Sequence, residues 1–292
     1  MRGVLAAFVA LAALTIAAGS SARSVTAQHV TLIGDSVADA IAGDESAAAI
    51  AQQGIALDLE VAPCRRVEGV GCPVNGVQPP SVVQVAQSMG SKLGPTVVVA
   101  VGYNDFEDQY AGNVEDAIDA LTAAGVKRIF WLTLRAARHP YVTMNADIVA
   151  AAAKHPQVTV VDWNVYSRSH PTWFQADGIH LVGAGSDAMA SLIHTSLLDA
   201  GIAAKPPRIL TTALPAARDG QAYRVRLAVT AGVAPYTWSL LERAPTGIHL
   251  APNGTVTGTP RANAGRHTFN VRVRDALGTM VTRRLTLRIL AQ

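Results

Sequence analysis

Three short segments carry residues suited to chemistry on an acyl group: Gly34-Asp35-Ser36, Gly102-Tyr103-Asn104-Asp105 and Asp177-Gly178-Ile179-His180. A serine hydroxyl is unreactive at neutral pH unless a neighbouring base accepts its proton, so Ser36 needs a partner such as His180. The three-residue spacing lets the Asp177 carboxylate reach one imidazole nitrogen while the other faces Ser36, which sets the tautomer and steadies the charged ring that forms. A carbonyl attacked by serine develops negative charge on oxygen. The Asn104 amide and the Ser36 backbone N–H are the candidate donors to it, each worth roughly 3 kcal/mol in such sites. Taken singly, each segment has a plainer reading: Ser36 or Asp35 as a helix cap, Asp177 as a later cap, Asn104 as a turn residue. Taken together they outline a site for serine-based acyl transfer.

For these residues to meet, the chain between them must form a scaffold that returns to one edge. From residue 29 to about 200, β-branched runs alternate with alanine-rich amphipathic stretches. Strands are expected at 30–33, 55–61, 96–101, 127–134 and 158–162, and helices at 39–53, 81–93, 114–124, 141–155 and 183–200. Five apolar strands separated by helices imply a parallel sheet covered on both faces. The expected fold class is therefore α/β, a three-layer flavodoxin-like parallel sheet whose ligands sit at the carboxyl ends of the strands. Ser36 follows the first strand, Asn104 the third, and Asp177 and His180 lie between the fifth strand and the last helix. Past Lys205-Pro206-Pro207 the helical pattern stops, and strand-like runs at 223–230, 268–274 and 281–289 alternate with turns, as in a small all-β sandwich.

The joint pattern of Gly-Asp-Ser at Ser36, Gly-x-Asn-Asp at Asn104 and Asp-x-x-His at Asp177 and His180 resembles the SGNH/GDSL hydrolase family over residues 29–200. The resemblance implies Ser36 as nucleophile, His180 and Asp177 as the rest of a triad, and Asn104 as an oxyanion donor. One block departs from the family pattern: the glycine that donates an N–H after the second strand has no clean match in Ala62-Pro63-Cys64-Arg65-Arg66-Val67-Glu68-Gly69. Gly69 or another N–H of this loop stands as the third donor. The C-terminal segment resembles a bacterial immunoglobulin-like domain through Ala234-Pro235-Tyr236-Thr237-Trp238, Asn253-Gly254-Thr255-Val256-Thr257-Gly258-Thr259-Pro260 and Arg274-Asp275.

The expected organisation is a signal peptide at 1–27, the hydrolase domain at 28–204 and the β-sandwich at 205–292. Met1-Arg2 followed by an uncharged apolar run reads as an export signal, with cleavage after Ala22 or Ala27; an uncleaved anchor is the competing reading. Either way the remainder is expected to be secreted or associated with the cell envelope. In an oxidising compartment Cys64 and Cys72 are expected to form a disulfide that stiffens the loop after the second strand. The net charge of +3 conceals an asymmetry, because 206–292 carry 12 arginines against only Asp219, Glu242 and Asp275. Two readings of that excess stand side by side, a patch for an anionic cell-surface polymer and ordinary solvated strand positions. Arg65 and Arg66 are candidate contacts to an anionic substrate, with a solvated loop arginine as the plainer reading for at least one of them, and Trp163, Trp173 and Phe174 are either pocket walls or core.

No zinc motif, phosphate-binding loop or dinucleotide fingerprint is present, so no metal or other cofactor is expected. Nucleic acid is not expected as a partner, and no membrane span is expected once the signal is removed. The function that follows is an exported serine esterase acting on a carboxylic ester through an acyl-enzyme, with O-acetyl polysaccharide or short-chain acyl esters as substrates. The alternatives are an O-acyltransferase on cell-envelope glycans using the same triad, and a non-catalytic cell-surface binding protein.

Overall fold

The structure, a computed structural model, describes residues 27–291. The expected signal segment, apart from its last residue, lies outside the described residues.

β1 (Gln28–Gly34), β2 (Ile55–Val61), β3 (Thr96–Ala100), β4 (Arg128–Leu132) and β5 (Val158–Val161) form one parallel sheet in the order β2-β1-β3-β4-β5. The central strands are buried on both faces: Val30, Leu32, Ile33 and Val97, Val98, Val99 have no exposed surface. This is why they read as continuous apolar runs rather than alternating ones. Thr31 and Thr96 are buried polar exceptions, and the Thr31 hydroxyl donates to the Leu93 carbonyl at 2.9 Å. The edge strand β2 is only half-buried and carries Asp58 and Glu60, charges that discourage pairing with another sheet.

Helices cover the sheet: α1 (Ser36–Ala42), α2 (Glu45–Ala51), α3 (Val82–Met89), α4 (Glu107–Ala123), α5 (His139–Lys154), α6 (Trp163–Ser167) and α7 (Gly183–Asp199). The single helix expected at 39–53 is two. Gly43 closes α1, and the Asp44 carboxylate restarts the chain by accepting from Ser46 and Ala47 N–H. α3 opens with a reciprocal cap between Ser81 and Gln84. α4 begins at Glu107, well before the expected 114, because Glu107 and Asp108 suit the positive end of a helix despite their polarity.

Beyond residue 205 a second apolar core gathers Trp238, Phe269, Val271, Val273, Leu285, Leu287 and Ile289. Here β7 (Ala217–Arg218), β10 (Thr237–Leu240), β13 (Gly265–Arg274) and β14 (Met280–Leu290) form a four-stranded sheet, β10-β13-β14-β7. β8 (Tyr223–Arg226), β11 (Ile248–Leu250) and β12 (Thr255–Gly258) form a three-stranded one, while β6 (Arg208–Ile209) pairs with β9 (Val229–Thr230). The expected strand at 223–230 is thus two short ones. Buried residues alternate with outward ones along β13 and β14, the pattern of a sheet with one wet face. Among the described residues no helix is long and apolar enough to cross a membrane.

Candidate active site

Ser36 is the first residue of α1 and follows β1 after one turn residue, Asp35. Asp35 has no exposed surface, yet its carboxylate is fully engaged. Oδ1 accepts from Val37 N–H at 2.9 Å, capping α1, and Oδ2 accepts from Gly102 and Tyr103 N–H, each at 3.2 Å. One carboxylate therefore joins the turn that carries Ser36 to the turn that carries Asn104. Burial outweighs these hydrogen bonds and pushes the Asp35 pKa up to about 6. Gly34 and Gly102 make the approach possible. A Cβ on Gly34 would press against Ala38 at 2.5 Å, and one on Gly102 against the Tyr110 hydroxyl at 2.7 Å.

The third segment arrives from the opposite end of the chain and completes the constellation. Ser36 Oγ lies 3.0 Å from His180 Nε2, and His180 Nδ1 lies 2.6 Å from Asp177 Oδ2. Asp177 Oδ1 also accepts from Ile179 N–H at 2.9 Å and His180 N–H at 3.0 Å, so the carboxylate is fixed to the backbone of the loop it serves. The His180 hydrogen bond, reinforced by that of Ile179, lowers the Asp177 pKa to about 2. Asp177 is thus a carboxylate that only accepts, which places the imidazole proton on Nδ1 and leaves the Nε2 lone pair facing Ser36.

Asn104 Nδ2 donates to the Arg65 carbonyl at 3.2 Å, which ties it to the loop after β2 and leaves its second amide hydrogen uncommitted in this contact. That loop is closed by the Cys64–Cys72 disulfide, with Cα atoms 5.2 Å apart. Its next residue but one also turns inward, since Val67 N–H donates to both Asp105 carboxylate oxygens at 3.1 and 3.0 Å. Gly69, at φ 80, lines an open polar cleft of about 440 Å³ with Arg66, Glu68, Gln84, Gln87, Gln109 and Asn113. Cys64, at φ 64, is the residue that takes left-handed backbone directly after β2.

Arg65 corrects an expectation. It is 2% exposed and its guanidinium donates to the Glu60 carbonyl, so it braces the loop and does not meet a substrate. Arg66 instead lies over the Phe106 ring, 4.1 Å from its centroid, at the edge of the cleft. Of the three aromatic residues near Asp177, Trp163 is completely buried and Phe174 nearly so. Trp163 stacks on Trp173 at 6.1 Å, and Trp173 in turn on His170 at 3.9 Å. Trp163 and Phe174 are therefore core, whereas Trp173 is half-buried against that core and His170 is exposed.

Two residues that the sequence did not single out connect the parts. Tyr103 Oη accepts from Arg135 N–H at 2.7 Å, and Arg135 Nη1 donates to the Gly178 carbonyl at 2.5 Å. Arg135 also covers Phe174 at 4.0 Å. Contacts thus run from Asp35 through Tyr103 and Arg135 to the turn between Asp177 and His180.

Comparison with known proteins adds sequence kinship to this geometry. The chain is 36% identical over 103 residues to O-acetyltransferase OatA of Staphylococcus aureus, spanning 35% of this chain and 16% of that protein. It is 30% identical over 122 residues to peptidoglycan O-acetyltransferase OatA of Listeria monocytogenes, spanning 38% and 19%. The α/β part of the chain has the SGNH-type fold, a five-stranded parallel sheet with flanking helices. Among solved structures, the C-terminal catalytic domain of Streptococcus pneumoniae peptidoglycan O-acetyltransferase A aligns with the SGNH domain at 21% identity and TM-score 0.45, covering 60% of this chain and 95% of that one. Residues 206–290, beyond the SGNH domain, match the family described as "Putative Ig domain". The chain thus spans less than a fifth of the length of these two curated relatives.

Proposed function

We propose that the SGNH domain is a serine acyl-transfer enzyme that forms an acetyl-enzyme on Ser36 and passes the acetyl group to a hydroxyl of a cell-envelope glycan. The observation that carries the chemistry is the pair of short contacts running from Ser36 Oγ through His180 to Asp177. In the first half-reaction His180 Nε2 takes the Ser36 proton as Oγ bonds to the acyl carbon. The C=O pair moves onto oxygen, where Ser36 N–H and Asn104 donate to it. Collapse expels the donor alcohol, which leaves with the proton from His180. In the second half-reaction an acceptor hydroxyl gives its proton to Nε2, attacks the acetyl carbon and releases Ser36. Asp177 stays ionised throughout and stabilises the imidazolium.

Hydrolysis, which the sequence alone put first, is the same cycle with water as acceptor. One finding favours a sugar acceptor: the relatives that share this stretch of sequence are named for O-acetyl transfer. This reading keeps the catalytic part extracytoplasmic, where such glycans lie. The test is product analysis of the purified protein with p-nitrophenyl acetate, with and without a soluble envelope glycan. Acetylated glycan supports transfer; acetate alone, unchanged by the glycan, supports hydrolysis.

A further inference from the structure

Six of the twelve arginines of the C-terminal domain gather on one face of its four-stranded sheet. In β13 and β14 the residues at 269, 271, 273, 285, 287 and 289 point into the core, so the intervening positions face outward. Those outward positions hold Arg266, Arg272, Arg274, Arg284 and Arg288, and the register of β7 adds Arg218 beside Leu290. The rest of the face is Thr237, Ser239, Thr268, Asn270, Thr282 and Thr286, with Met280 and Leu290 at its ends. None of its outward positions is an acid, and one carboxylate reaches it from beyond β10, Glu242 Oε1 accepting from Asn270 N–H at 2.8 Å. Asp219 and Glu242 stand at its margins, and among the described residues none of the six arginines is ion-paired.

The arrangement carries a cost. Arg266 and Arg288 are direct cross-strand partners, and Arg272 lies diagonally across from Arg284. Like charges opposite one another destabilise a sheet unless something neutralises them. Arg284 shows how the face is shared: its Nη2 donates to Thr268 Oγ1 across the strand at 3.0 Å, leaving its other donors outward.

We propose that this four-stranded face binds a linear polyanion of phosphate groups that carries no nucleobases. Three features select that class. Guanidinium forks match the oxygens of phosphate, and hydroxyl and amide side chains between them supply the additional donors that phosphate oxygens take. Alternate residues along a strand are roughly 6.6 Å apart, a spacing that a flexible chain carrying one charge per repeat can follow. The face carries no aromatic ring for base stacking, which separates it from single-strand nucleic-acid platforms. The chemistry is independent of the acyl-transfer reading; only the expectation that the polymer is met at the envelope rests on it.

The test uses the full protein and immobilised long-chain inorganic polyphosphate, with polygalacturonate and single-stranded DNA as comparators. Wild type is expected to bind polyphosphate at low salt and to lose affinity steeply with added salt. Replacing Arg266, Arg272, Arg284 and Arg288 by Ser should weaken binding roughly 10²-fold and flatten the salt slope by about 2 to 3 units. A second variant removes the same charge elsewhere, with Arg208, Arg224, Arg226 and Arg243 replaced by Ser; it should retain most of the affinity. Unchanged p-nitrophenyl acetate turnover and a preserved Trp238 environment show that each variant is folded. Equal loss in both variants reduces the effect to net charge and overturns the proposal, as does equal or tighter binding to polygalacturonate or DNA. If the face variant does not fold, the second variant and the comparators still decide.

Discussion

Asp35→Asn separates what Asp35 does for stability from what it does for the site. In the folded protein this carboxylate is wholly buried, and burial pushes its pKa up to about 6 from the ordinary 3.8. A raised folded pKa means that the native state binds more protons than the unfolded chain across that interval, so stability falls as pH rises from about 4 to 6. The two-unit gap corresponds to roughly 3 kcal/mol lost by wild type through this group. Asparagine resembles the protonated acid, with one acceptor oxygen and one donor, so the two proteins should differ by only about 1 kcal/mol at pH 4. At pH 7 the variant should be the more stable by about 2 kcal/mol, because it escapes the ionisation cost. Activity should move the other way. With an NH₂ group opposing either Val37 N–H or the Gly102 and Tyr103 N–H groups, the link between the Ser36 and Asn104 turns is weakened, and kcat should fall about 10- to 100-fold with KM little changed. Urea titrations at both pH values, followed by the helical far-UV signal that the SGNH domain supplies, test the first part. A wild-type advantage that grows with pH would refute the reasoning, since it requires an Asp35 stabilised as the anion.

Asn104→Ala should lower kcat about 10²–10³-fold with a smaller effect on KM, measured by steady-state kinetics on p-nitrophenyl acetate; a change confined to KM reassigns Asn104 to substrate binding. Asp177→Asn should preserve the fold by circular dichroism but lower kcat by up to about 10⁴-fold, because the amide no longer holds the Nδ1–H tautomer. Reduction of Cys64–Cys72 should lower activity more than the melting temperature, since a short loop closes little chain entropy yet its Arg65 carbonyl holds Asn104; equal loss of both contradicts this.

The layered α/β architecture was legible because the central strands are continuous apolar runs and several of the helices alanine-rich intervals, both local properties of the chain. The three segments carrying Ser36, Asn104 and Asp177 with His180 were legible because all follow strand ends, where a parallel sheet gathers its loops. The connections among them were not. Asp35 meets Tyr103 at a separation of 68 residues, and Arg135 meets Gly178 at 43, contacts that no local pattern announces. Arg65 looked like a solvated loop residue because arginine usually is, and only the fold around the disulfide loop shows it buried against Glu60. The Gly43-Asp44 break was available in principle, glycine followed by a capping aspartate, but the alanine-rich run on either side masked it. In the C-terminal part the arginine count was plain from composition, whereas the gathering of six of the twelve on one face depends on strand register.

The central claim is that an acetyl group passes through Ser36. Rapid quenching of the protein with excess p-nitrophenyl acetate, followed by peptide mass spectrometry, tests it most directly. The account predicts one added acetyl group on the peptide containing Ser36, gone once the ester is exhausted and absent in Ser36→Ala, which should remain folded and lose turnover. Acetylation at a different residue during turnover, or a Ser36→Ala protein as active as wild type, would contradict it.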